Sequence, residues 1–417
     1  MTGPRIGALE TRADPLGDAF DLLAAYRPPA GVFFERRGRG VAGIGRSPRT
    51  TDDRIDLSDL SRVVELLRGA IRRRADVAPV AVGSIAFRRD GGHQPELMIP
   101  RRAVRRDARG GTWRIDASSD AETDRDDPID RVTGRAPSEP FATVQLQQVP
   151  STEAYRDAVR EATARIGRGN LRKVVLARTV EVEAGRGFDP RLLAHRLRAV
   201  DPDAYTFAMP TEHGVIVGAS PELLVSRRGR EVRSNPLAGS APRSGDADED
   251  RMNAQALVES SKDREEHAIV VDAVVETLEP FCDELTWDPE PILRETPNVW
   301  HLSTRFRGVL RDLGVSALDL ATALHPTPAV AGHPTGVALD TIAELEPFDR
   351  DRYAGPVGWV DANGDGEWAI ALRCADLRSD RAVLYAGAGI VIGSDPAKEL
   401  DETERKFRAF LDALRWG

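Results

Sequence analysis

The 417-residue chain reads as α/β in the α+β sense, with large antiparallel sheets flanked by helices and no alternating βαβ array. Three observations predict this class. Short apolar runs bounded by turn residues recur at 205–209, 214–218 and 223–226, and again at 305–310, 355–360, 368–373 and 382–386. Helical spacing is confined to a few long segments, chiefly 151–166, 248–279 and 396–415. A chain of this length with 41% hydrophobic residues also buries a large core.

Taken in order, the first 115 residues mix plausible strands such as 80–87 with arginine clusters at Arg101-Arg102 and Arg105-Arg106, and carry no chemical motif. Residues 117–140 are polar, acidic and rich in Asp, Ser and Pro, which suits either an exposed connection or a long loop within one domain. From Ser151 the pattern sharpens. Ser151 or Thr152 caps a helix whose Tyr155, Val159, Ala162 and Ile166 recur at helical spacing until Gly167 and Gly169 end it. Residues 172–178 (RKVVLAR) follow as a buried strand, and the runs 205–209, 214–218 and 223–226 read as neighbouring strands of one sheet. One long helix is expected over 248–279 and a last one over 396–415.

The net charge of −9 is spread over mixed-sign segments, which argues against a nucleic-acid or membrane-surface partner. Two cysteines, Cys282 and Cys374, make neither a disulfide framework nor a zinc set. The N-terminus lacks the order of a signal peptide and no stretch approaches a membrane span, so a soluble cytoplasmic protein is expected. Of the 58 basic residues only four are lysine: Lys173, Lys262, Lys398 and Lys406. Each is either a chance survivor of arginine-rich coding or a place where a compact, titratable ammonium matters. Lys173, inside the apolar run, is the sharpest case, because burial favours the neutral amine that can accept a proton.

Two carboxylate pairs share helix faces by their spacing, Asp263 with Glu266 and Glu399 with Glu402, and Lys406 continues the second face. Phe407, Phe410 and Leu414 form an adjacent apolar stripe that docks the last helix. Four carboxylates from two helices are either solvated faces with ordinary salt bridges or the hard oxygen ligands that Mg²⁺ prefers. Residues 361–366 open like a calcium loop, but Leu372 stands where a bidentate glutamate belongs, so a hairpin turn is the better reading. The run Gly387-Ala388-Gly389 is weak as a phosphate loop; its glycines instead allow backbone amides close to an anionic ligand.

In sequence order, residues 173–178 (KVVLAR), 218–223 (GASPEL), 236–240 (PLAGS), 262–267 (KDREEH), 300–302 (WHL), 325–330 (HPTPAV), 353–355 (YAG), 372–375 (LRCA), 387–389 and 399–406 resemble the successive motifs of the chorismate-utilising enzymes, the anthranilate synthase component I-like family. The resemblance covers about two thirds of the chain, from Ser151 onward. It implies a single domain over 1–417, a sandwich around two large antiparallel sheets, with 1–150 its variable N-terminal part and 151–417 its motif-bearing catalytic core.

Within that family the chain is most similar to the isochorismate synthase type. Lys173 stands where ammonia-using members commonly carry glutamine, and water, unlike ammonia, needs a base. Ala238 replaces the nucleophilic lysine of aminodeoxychorismate synthases, which closes the covalent route. Ala329 replaces the threonine of salicylate and anthranilate types, and no glutamine amidotransferase segment or subunit is expected. The resemblance implies Lys173 as general base and Glu222 as general acid, with Mg²⁺ on Glu266 and Glu402, assisted by Asp263 and Glu399. It places chorismate against Ala238, Gly239, Ser240, His301, Ala329, Tyr353, Arg373, Gly387, Gly389 and Lys406, with His267 beside the metal ligands. The alternatives are a salicylate synthase and a non-catalytic chorismate-binding protein; the product's destination, menaquinone, a catechol siderophore or another metabolite, stays open.

Overall fold

The computed structural model describes residues 10–17, 20–46, 60–72, 77–88, 95–107, 110–118, 143–184 and 187–415. Among these, strands assemble into a 13-stranded sheet, an 8-stranded sheet and a 3-stranded sheet. Neighbours pair antiparallel throughout, save Glu10–Leu16 with Ile71–Arg72. The expected α+β class therefore holds, with the small third sheet as an addition. The first third of the chain feeds both large sheets: Val32–Arg36 pairs with Tyr205–Thr211, and Val80–Ser84 with Pro356–Asp361. Of residues 117–140, read from sequence as a connection, Ala117 and Ser118 instead end the strand Thr112–Ser118, and 119–140 lie outside the described residues.

The strand carrying Lys173 runs longer than its apolar core suggested, over Lys173–Ala184, and is paired on both edges. Arg381–Ile390 lies along one side from Val174↔Ile390 to Glu183↔Arg381; Gly332–His333 and Thr143–Val149 share the other. Its two halves serve two cores. Val174 and Leu176 pack with Tyr155, Val159 and Ile166 of the helix Thr152–Gly167, whose buried face is the one its periodicity marked. Val180 and Val182 join Leu193, Leu197, Phe407 and Phe410. Burying each phenylalanine of the last helix, Pro396–Arg415, contributes roughly 1.5–3 kcal/mol to holding that helix on the sheet. Arg178 bolts it further: its guanidinium is fully buried over the Phe407 ring, donates to Thr403 Oγ1 at 2.7 Å and pairs with Glu404.

Four sequence expectations need correction. The helix expected over 248–279 is two helices, Ala247–Glu259 and Ser261–Leu278. Ser260 breaks it, with ψ of 111° and a side chain that accepts from the Asp263 amide, so its capping preference outweighs helical continuity. Leu223–Arg228 is not a neighbour of Gly214–Ser220 in one sheet; it pairs with Glu231–Asn235 and Gly366–Ile370 in the 8-stranded sheet. Pro221 and Glu222 carry the chain from one sheet to the other. The strand expected over 368–373 ends at Ile370, because Arg373 has left-handed backbone (φ 49°). The strand expected over 382–386 runs on to Ile390, so that Gly387 and Gly389 lie within it. The hairpin reading of 361–366 is met, with Gly364 at φ 82°.

Candidate active site

A cavity opens where the two large sheets and the small sheet meet the last two long helices. Its wall carries Glu222, Ala238, Gly239, Ser240, Glu266, His301, Ala329, Tyr353, Arg373, Gly387, Gly389, Glu402 and Lys406, so residues scattered over nearly 200 positions converge on one space. Pro221 and Leu237, which sequence reasoning did not single out, share the wall. Three expected residues stand off it. Lys173 is fully buried with Nζ 3.0 Å from Glu266 Oε1, while Asp263 and Glu399 lie one layer away.

Glu222 sits at the crossing between sheets, and this exit from the strand aims its carboxyl inward. Its backbone is held by Ser220 Oγ, 3.2 Å from its amide, and by the Ile370 amide on its carbonyl; the Leu237 amide reaches Oε1 at 3.4 Å. Burial pushes its carboxyl up to about 7, against the opposing pull of that amide and of Lys173, Arg373 and Lys406. The sequence expectation of a raised acid is thus met. Lys173, by contrast, is not surrounded by apolar groups alone, because Glu266 pairs with its ammonium; burial by itself does not describe its setting.

Arg373 enters the cavity because its left-handed backbone turns the chain between Ile370 and Cys374, a strained conformation for a residue with a Cβ. Its Nη2 lies 3.2 Å from His301 Nε2. A guanidinium only donates, so Nε2 accepts and the ring proton stays on Nδ1, toward the Gly239 carbonyl. Burial first, then Arg373 and Lys406, hold His301 well below its ordinary range, and the ring is neutral. His267 is also neutral, lowered to about 4 by burial and Lys173; it bridges the Ala238 carbonyl and Thr304 Oγ1 and makes no contact with Glu266 through its ring nitrogens. Tyr353 stacks on Tyr385 with ring centroids 4.9 Å apart.

The glycines have a steric task that the sequence did not show. A Cβ on Gly389 would lie 2.1 Å from Glu266 Oε1, and one on Gly387 would lie 3.1 Å from the Tyr353 hydroxyl. Gly239, at φ 77°, lets the chain pass against Asp263. Gly387 also offers its carbonyl to Lys406 Nζ at 2.7 Å.

The four carboxylates are hard oxygen donors of the kind Mg²⁺ takes, and they face one another closely enough to interact. Burial and the neighbouring Glu402 raise Glu399; burial also opposes ionisation of Glu402, but Lys406 and Ser240 outweigh it and hold Glu402 low. Burial raises Asp263, which accepts from Ser260 Oγ. Three of the carboxylates are engaged by lysine: Glu266 by Lys173, Glu399 by Lys262 at 2.7 Å, and Glu402 by Lys406 at 2.5 Å. Among the described residues no three of the metal-binding side chain types are already gathered about one point. The donor set fits a divalent cation once ammonium groups yield their places. Lys262, inside the 262–267 motif but given no role from sequence, is the one member of this network that was missed. The scarcity of lysine could have found it: three of the chain's four lysines are here, and the fourth, Lys398, is exposed.

Comparison with known proteins agrees with this geometry. Residues 15–415 match the family described as chorismate binding enzyme. Isochorismate synthase DhbC of Bacillus subtilis is 39% identical over 404 residues, spanning 94% of this chain and 95% of that protein. Among solved structures, a Bacillus anthracis protein described as a 2,3-dihydroxybenzoate-specific isochorismate synthase, DhbC, superposes with TM-score 0.79 at 34% identity, covering 95% of this chain and 99% of the other. MenF of Escherichia coli, described as the menaquinone-specific isochorismate synthase, gives TM-score 0.78 at 25% identity over 98% and 95% of the two chains.

Proposed function

Because this chain belongs to the chorismate-binding enzyme family, we propose that it is an isochorismate synthase, with Lys173 and Glu222 as its base and acid. It converts chorismate to isochorismate: water adds at C2, the ring double bonds shift, and the C4 hydroxyl departs as water. The observation that carries the assignment of roles is the acid, a buried carboxyl raised to about 7 on the wall of a cavity that also carries Arg373 and Lys406. Such a group keeps a proton near neutral pH and can hand it to the leaving hydroxyl. Lys173 takes the proton of the attacking water at Nζ, a role supported by its place at the start of a strand paired on both edges, which holds it rigidly.

Arg373 and Lys406 bind the substrate's two carboxylates, Arg373 through a planar fork and Lys406 as a point charge. Neutral His301 holds the Arg373 fork by accepting from Nη2. The Tyr353 hydroxyl and the backbone at Gly387 and Gly389 complete the wall against the ring. Ala238 and Ala329 leave that space without a further nucleophile or hydroxyl. Glu266 and Glu402, with Asp263 and Glu399 beside them, would hold Mg²⁺. When bound, the cation supplies positive charge that orients and neutralises the ring carboxylate. Among the described residues no helix is long and apolar enough to cross a membrane.

Product analysis tests this reading. Purified protein given chorismate and Mg²⁺ yields isochorismate alone, with oxygen from labelled water at C2. Salicylate with stoichiometric pyruvate, or an aminated product when ammonium is supplied, would overturn it.

A further inference from the structure

We propose that Lys262 is the resident counter-ion of the carboxylate cluster, and that a divalent cation loads by displacing its ammonium from Glu399. The inference rests on the metal reading above and concerns a residue to which that reading gives no task. Lys262 Nζ sits 2.7 Å from Glu399 Oε1, and Glu399 is buried, its side chain only 3% exposed. Asp263 and Glu266 are the next carboxylates that act on the same ammonium.

The other two lysines cannot leave easily. Lys173 is wholly buried in its strand, and Lys406 is tethered a second time by the Gly387 carbonyl. Lys262 differs on both counts. Its side chain is 34% exposed, and Glu399 is its one hydrogen-bonded partner among the described residues, so it can swing into water on a flexible stem.

Charge favours the exchange. Lys262 and an incoming dication draw on the same buried carboxylate, Glu399, and so compete for it. Keeping both would crowd an ammonium and a dication about one carboxylate, whereas releasing the ammonium to water removes that repulsion, the cheaper state in a desolvated site. Residue choice points the same way. In a chain that uses arginine for almost every cation, this position carries lysine, whose compact, strongly hydrated ammonium makes a single-point contact and is released more readily than a bidentate guanidinium.

The test titrates Mg²⁺ by calorimetry into metal-free wild type, Lys262→Met and Lys262→Arg. Each titration is run alone and in an equilibrated mixture of chorismate and isochorismate, and metal-free melting temperatures are recorded alongside. Lys262→Met should bind Mg²⁺ about 5- to 20-fold tighter than wild type, the release of one partly buried ion pair. Its metal-free form should melt lower than wild type and recover with Mg²⁺. Lys262→Arg, which keeps the charge and strengthens the contact, should bind Mg²⁺ no tighter than wild type. Equal or weaker binding by Lys262→Met while wild type binds normally would overturn the proposal and leave the metal reading standing. Equal tightening by Lys262→Arg would also overturn it, because the gain would then not come from removing the charge. Absence of Mg²⁺ binding to wild type in either condition would overturn the metal reading and this proposal together.

Discussion

Glu222→Gln separates the acid's chemistry from its cost to stability. The substitution keeps size and shape and removes only the ionisable proton. In the native protein burial raises this carboxyl from 4.5 to about 7. Below about pH 4.5 the group is protonated in both folded and unfolded chains and contributes no pH dependence. Between 4.5 and 7 the unfolded chain gives up the proton while the native chain keeps it, so unfolding releases a proton and stability falls as pH rises. Above 7 the loss is complete and amounts to about 3 kcal/mol, since each tenfold difference in proton affinity between the two states is worth about 1.4 kcal/mol. Glutamine has no such loss. The melting temperature of Glu222→Gln minus that of wild type should therefore grow between pH 4.5 and pH 8.5, by roughly 3–6 °C for a chain of this size. Taking the difference cancels the titration of every other group, to first order. Turnover should fall about 10²- to 10⁴-fold, the usual contribution of a positioned acid, and wild-type turnover should decline above pH 7 as the acid ionises. A stability difference that is flat with pH, or that shrinks as pH rises, would refute the buried-acid reasoning. Near-normal turnover of the variant would refute its role.

Lys173→Arg should lower turnover about 10²- to 10⁴-fold while chorismate binding measured by calorimetry changes far less, since a guanidinium stays protonated at any working pH; near-normal turnover would remove the base assignment. Gly389→Ala should raise the Mg²⁺ concentration needed for half-maximal rate about 10- to 100-fold and lower the melting temperature, because the new Cβ displaces the buried Glu266 carboxylate from Lys173; an unchanged Mg²⁺ requirement would contradict the contact. Excess chelator should abolish turnover and added Mg²⁺ restore it, and Glu402→Gln should mimic chelation; full activity in chelator would sink the metal site.

Local pattern determined a good part of this protein. The helix Thr152–Gly167 and its buried face follow from Tyr155, Val159, Ala162 and Ile166 at helical spacing, and the last helix from its apolar stripe, because a repeat that matches one element's geometry leaves a single face to bury. The motif residues were likewise legible, since their order along the chain is itself a sequence property. What sequence could not decide was anything set by partners distant in the chain. Whether Leu223–Arg228 joins its neighbour's sheet or the opposite one depends on Gly366–Ile370, over a hundred residues away. Arg373 reads as a strand residue until the fold holds its backbone left-handed and His301 accepts from its guanidinium. The glycines at 387 and 389 read as room for backbone amides to approach a ligand, yet they lie in a strand where Tyr353 and Glu266 need the room. Lys173 and Lys262 found their carboxylates only when two helices and a strand were brought together, whereas the Lys406–Glu402 pair follows from spacing within one helix. Short-range periodicity fixes which face of an element is apolar; pairing, backbone strain and the company a charge keeps are set by long-range contacts, and so belong to the tertiary structure alone.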